Sequence, residues 1–174
     1  MAIKDTTVFV KVGLVVTIVA LIVQIIGYST DFWESYDRPL ALYKYSYNQG
    51  LWRLCTSTNY TEGCMDIPQS ASTIELKTTR AFETLAFIFG FASIVLQLLS
   101  IFVKQKKIIT ILINGSSFCA GLLVFIGIIV FATDKPTGYE YGYSFALTIV
   151  GGVLYVLAGL ILIVDVQKTT TTSS

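Results

Sequence analysis

Histidine is absent from the 174 residues, which removes the commonest metal ligand and the usual general base near neutral pH. Charge is scarce as well: 13% of residues are charged, and the formal net charge is +1. No basic surface large enough to hold nucleic acid can be assembled from that supply. The loops offer acids and hydroxyls without a base, a metal set or a phosphate-binding glycine loop, so the sequence predicts neither an enzyme nor a metal or cofactor site. What the chain has in quantity is apolar side chains, 54% of the total, and that balance suits lipid rather than water.

The hydrocarbon core of a bilayer is about 30 Å thick, so a spanning helix needs roughly 20 mainly apolar residues. Four stretches meet that length, at about 8–28, 81–103, 108–132 and 143–164, and they predict one four-span membrane domain. A cleaved leader is the rival reading of the first stretch, since Lys4 and Lys11 lie before and within it; no small-residue cleavage site follows, and a span is preferred. Lys104-Gln105-Lys106-Lys107 between the second and third stretches orients the chain, because short basic loops stay in the cytosol. Both termini are then cytosolic, consistent with Lys4, Lys11 and Lys168. The long first loop, about 29–80, and the short second loop, about 133–142, face outside, and a cytosolic tail covers 165–174. The first loop holds two of the three cysteines and the sequon Asn59-Tyr60-Thr61, both proper to an oxidising, lumenal face. A second sequon, Asn114-Gly115-Ser116, falls inside the third span, beyond reach of the glycosylation machinery.

Helices in lipid gain little hydrophobic energy from each other, so small residues that allow close approach do much of the sorting. Ala86 and Gly90, Ser117 and Gly121, and Gly151 and Gly159 supply such faces on the second, third and fourth spans, and a four-helix bundle is expected. Gln24, Gln97 and Asn114 are read as interhelical hydrogen-bonding groups rather than a relay, since no acid or base sits at mid-depth. Cys119 is read as a small buried packing residue. In the first loop, Leu42-Tyr43-Lys44-Tyr45-Ser46-Tyr47 alternates as a strand does, and Asn48-Gln49-Gly50 supplies a turn. Cys55 and Cys64, with eight residues between them, suit a disulfide across two strands joined by a hairpin.

Trp33, then Gly50-Leu51-Trp52, then Cys55 and Cys64, with Arg80 at the start of the second span, form an ordered set that resembles the claudin superfamily. That group takes in claudins, peripheral myelin proteins, epithelial membrane proteins and calcium-channel gamma subunits, and the chain resembles a claudin-like member along nearly its whole length. The resemblance implies a left-handed bundle of four transmembrane helices, all-α in the membrane, carrying a small extracellular β-sheet. It implies that Trp33 and the Gly50-Leu51-Trp52 segment anchor that sheet against the outer helix ends.

It also implies a cell-junction protein of the plasma membrane that polymerises in cis and trans and forms a paracellular barrier or an ion-selective pore. Asp66, just after the second cysteine, is then the candidate pore charge, and a solvated residue at a hairpin end is its plainer reading. The alternative implied by the wider group is an auxiliary subunit that binds a channel or adhesion protein laterally. Three features depart from the junctional pattern: the end Thr171-Thr172-Ser173-Ser174 lacks the hydrophobic terminus that PDZ scaffolds capture, no juxtamembrane cysteine is available for palmitoylation, and a glycan on Asn59 would crowd the hairpin tip.

Overall fold

The computed structural model describes residues 7–40, 43–102, 107–134 and 137–172. Along them run α1 (Val8–Ser29), β1 (Glu34–Leu40), β2 (Tyr43–Gln49), β3 (Arg53–Thr58), β4 (Glu62–Asp66), α2 (Ile74–Phe102), α3 (Lys107–Thr133), β5 (Glu140–Tyr141) and α4 (Tyr143–Thr172). Lys4, Leu42, the first three residues of the basic turn (Lys104, Gln105 and Lys106) and Ser173-Ser174 lie outside the described residues, while Lys107 opens α3. Each helix holds a segment long and apolar enough to cross a membrane: Val8–Ser29, Ile74–Phe102, Ile108–Thr133 and Tyr143–Val164.

Two helix ends depart from the apolar stretches, for local reasons. α2 begins at Ile74, seven residues before the apolar run at Ala81. The Thr73 hydroxyl accepts the Leu76 amide at 3.2 Å, capping the first turn, and Glu75 favours the positive end of the helix dipole. α4 continues past Val164 to Thr172. At the end of α1, Ser29 and Thr30 turn their hydroxyls back onto the carbonyls of Ile25 (2.7 Å) and Ile26 (2.6 Å), which satisfies groups a helix terminus leaves open.

The helices form a ring in which α1 lies chiefly against α4 and α2 against α3, with α3 against α4 and a thinner α1–α2 seam. Buried positions on α1 are Val10, Gly13, Thr17, Ala20, Gln24 and Gly27, and on α2 Leu76, Thr79, Arg80, Glu83, Ala86, Gly90, Ser93, Gln97 and Ser100. Their spacing of three and four residues is the seven-residue repeat of left-handed bundles. The buried faces of α1 and α2 are mostly small or polar, while Val12, Val15, Val19, Ile22, Phe91, Leu98 and Leu122 face outward, the arrangement lipid favours. Gly90 receives the Tyr155 phenol; a Cβ at Gly121 would come within 2.9 Å of Val156, and one at Gly159 within 2.9 Å of Phe118. Gly151 lies against Ala20 and Gln24, and Ala86 and Ser117 are fully buried.

Two polar layers stitch these faces. Near the sheet, Gln24 donates to the Glu83 carboxyl and backbone carbonyl, both at 3.3 Å, and accepts from the Tyr155 hydroxyl at 2.9 Å, joining α1, α2 and α4. Farther along, Gln97 donates to Thr17 and Ser93, both at 3.0 Å, and Ser93 meets Ser117 at 2.6 Å, joining α1, α2 and α3. Asn114, read as a third such group, differs: its Oδ1 is buried without a partner among the described residues. Cys119 is a correction, since it is exposed on the outside of α3 rather than packed inside.

The sheet has strand order β4-β3-β2-β1-β5. All its described pairings are antiparallel, with Tyr36 opposite Tyr47, Asn48 opposite Cys55, and Cys55 opposite Cys64. The turn expected at Asn48-Gln49-Gly50 falls later, because Asn48 and Gln49 complete β2 and the chain reverses through Gly50, Leu51 and Trp52. β5 comes from the short second loop and pairs Glu34 with Tyr141 and Ser35 with Glu140, so both loops build one sheet.

Candidate functional site

Three side chains join the sheet to the bundle. Trp33 stands just ahead of β1 and is fully buried. Its indole nitrogen donates to the Gly27 carbonyl of α1 at 2.7 Å, and its ring lies edge-on to Phe131 of α3 (4.9 Å) and Phe145 of α4 (5.9 Å). Its backbone enters the sheet, donating to Gln49 at 2.9 Å and accepting from Gly142 at 3.0 Å. An apolar body with a single donor suits a wedge between polar strands and apolar helices.

The Gly50-Leu51-Trp52 turn meets the same end of the bundle. A Cβ on Gly50 would come within 2.6 Å of the Thr30 carbonyl and 2.7 Å of the Asp31 Cα, so only glycine fits that crossing. Leu51 is fully buried, and its carbonyl accepts from Arg80 Nε at 2.6 Å. Arg80 also donates from Nη1 to Ser72 at 3.0 Å and lies 4.8 Å from the centre of the Trp52 ring, a cation–π contact. Trp52 is itself 5.4 Å from the Tyr28 ring of α1. The residues quoted as the signature, Trp33, Gly50, Leu51, Trp52 and Arg80, thus gather at one junction that touches all four helices.

The far end of the sheet is built differently. β4 is exposed at all five positions. The Cys55–Cys64 disulfide, with Cα atoms 4.1 Å apart, ties it to β3. Asn59 sits exposed at the tip between them, where Thr58 closes the turn by donating from its amide to the Thr61 carbonyl at 2.8 Å. Asp66 ends β4 opposite Arg53; its side chain is 91% exposed and its carboxylate lies 3.7 Å from the guanidinium. Arg53 is also 3.7 Å from Asp31, which is 21% exposed.

Between the sheet and the tops of α2 and α3 lies a cavity of about 240 Å³, lined among others by Glu34, Tyr47, Glu75, Asp134 and Tyr139. Thr73 donates to Asp134 at 2.9 Å across its rim. Burial, then the neighbouring Glu34 carboxylate, push the Tyr47 phenol up from its ordinary value. No group of three or more metal-ligating side chains gathers among the described residues.

Several participants gave no signal by residue type. Glu83 is fully buried, with its Oε1 unpartnered among the described residues where Gly127 leaves room for it. It falls on the seven-residue repeat of α2, which is the pattern that finds it. Asp31 and Arg53 come together only because the Gly50 turn crosses the end of α1.

This is a four-span membrane protein with an antiparallel sheet set on one end of its bundle, and sequence comparison agrees. The family model described as PMP-22/EMP/MP20/Claudin matches residues 6–162. Epithelial membrane protein 1 of Homo sapiens is 28% identical over 119 residues, covering 62% of this chain and 73% of that protein, and its counterpart in Pongo abelii matches equally. The chain belongs to the PMP-22/EMP/MP20/Claudin family.

Proposed function

We propose that this chain is a claudin-like cell-contact protein of the plasma membrane, with its sheet outside the cell and both termini in the cytosol. Its sheet would meet neighbouring copies in cis and copies on the facing cell in trans, forming a barrier or an ion path between cells. The observation that carries this reading is the pairing of a rigid base with a bare edge. Trp33 and Arg80 fix the sheet to the helices, while β4 is the last strand in the order, with one side of its backbone unpaired among the described residues and every residue exposed. An open strand edge is a template for pairing with another chain. Asp66 lies at the end of that edge, where a fixed carboxylate in a narrow passage favours cations. The reaction class is assembly and selective passage, with no chemical step.

The test is expression in cells without endogenous junction strands, with freeze-fracture imaging of contacts and recording of transepithelial resistance. Strands together with altered resistance support the reading; a diffuse membrane signal with unchanged resistance sinks it. Replacing Asp66 with lysine should lower cation preference.

A second reading, an auxiliary subunit binding a channel or adhesion protein laterally, is favoured by Asn59 at the exposed hairpin tip. A glycan there would stand where copies would meet. Enzymatic deglycosylation, with Asn59→Gln as the control, reads whether that site is used; crosslinking in the membrane then reads whether the neighbours are copies of the chain or another protein.

A further inference from the structure

We propose that Arg53 sets the charge that Asp66 presents at the sheet edge, and that Asp31 controls how much of Arg53 is available to do so. The inference rests on the junctional reading above. Arg53 and Asp66 face each other across the β3–β4 ladder, and Arg53 Nε is 3.7 Å from Asp66 Oδ1 while Arg53 Nη1 is 3.7 Å from Asp31 Oδ2. Both separations exceed the 2.7–2.9 Å typical of charge-assisted hydrogen bonds, so one cation is held between two acids without being committed to either. The surroundings of the acids differ. Asp31 is 21% exposed and Asp66 91%, so solvent weakens the attraction to Asp66 more than that to Asp31.

The three groups therefore carry one net negative charge. Because Arg53 is drawn to the less exposed partner, most of that charge appears on Asp66, at the rim. With a screening length of about 8 Å at physiological salt, a guanidinium 3.7 Å away still acts on whatever passes Asp66. Two substitutions then act in opposite directions at positions that leave Asp66 itself intact. Removing the cation with Arg53→Gln unmasks both acids and raises cation preference. Removing the competitor with Asp31→Asn releases Arg53 to Asp66 and lowers it.

The experiment is the dilution potential across monolayers expressing wild type, R53Q, R53K, D31N or D66N, with surface level and the intact disulfide checked for each. The sodium-to-chloride permeability ratio should rise roughly twofold in R53Q, fall by a similar factor in D31N and D66N, and stay near wild type in R53K. An unchanged ratio in R53Q beside a lowered ratio in D66N overturns the role of Arg53 and leaves the junctional reading standing. A lowered ratio in D66N with wild-type behaviour in D31N overturns the competition. If R53Q fails to reach the surface, D31N reads the same competition from the other side. Monolayers in which wild type forms no strands and alters no permeability overturn both the inference and the reading beneath it.

Discussion

The base of the sheet and its β3–β4 hairpin are parts of one antiparallel ladder, yet different forces hold them. At the base, Trp33 and Leu51 are fully buried, and tryptophan, arginine and backbone donors reach all four helices. In the hairpin every residue of β4 is exposed, so burial contributes little and a covalent bridge takes its place. A small sheet can be secured either by giving it a core on a neighbour or by limiting the freedom of its unfolded chain. Here one end uses each method, and the hairpin carries the outer edge of the described sheet.

Trp33→Ala should break the comparison most severely, because it empties the wedge between Phe131, Phe145 and the sheet. A loss of about 3–5 kcal/mol is expected, read as a large fall in thermal midpoint in detergent, with the base amides exchanging as fast as those of the hairpin. Replacing Cys55 and Cys64 together by serine should cost roughly 2–3 kcal/mol and sharpen the contrast: hydrogen exchange quickens in β3 and β4 while β1 stays protected. Equal loss of protection at both ends would show that the two anchors are not independent.

Arg80→Lys keeps the charge but gives up the fork that reaches both Leu51 and Ser72. About 1–3 kcal/mol should be lost, with Trp52 fluorescence shifting as the planar guanidinium beside its ring is replaced by an ammonium, and hairpin exchange unaffected. Thr73→Val removes the cap of α2 for about 1 kcal/mol and releases Asp134 at the cavity rim; faster exchange confined to the first turn of α2 is the expected signature.

The spans were legible because lipid allows few alternatives: a buried backbone must bond to itself, and about 20 apolar residues are needed to cross. The resemblance placed the anchor residues in order along the chain for a similar reason, since a tryptophan wedge and a glycine crossing tolerate few substitutes. The start of α2 was hidden, because Thr73 and Glu75 look like loop residues until their hydrogen bonds are known. Glu83 was passed over because an acid close to the end of an apolar run resembles a solvated flank. Cys119 misled in the opposite sense: its type suits either face of a helix in lipid, and only packing says which.

By itself the sequence determined that four apolar spans form and that Cys55 and Cys64 suit a hairpin bridge, while the resemblance to the claudin superfamily implied that Trp33 and Gly50-Leu51-Trp52 anchor the sheet. The spans and the hairpin follow from local period and from the solvent, and the anchor residues from the resemblance alone. The tertiary structure alone decided that Glu83 would share Gln24 with Tyr155, that the second loop would add β5 to the sheet, and that Arg53 would stand between Asp31 and Asp66. Each of these depends on the distance between chain segments far apart in sequence, a quantity that composition and period do not contain.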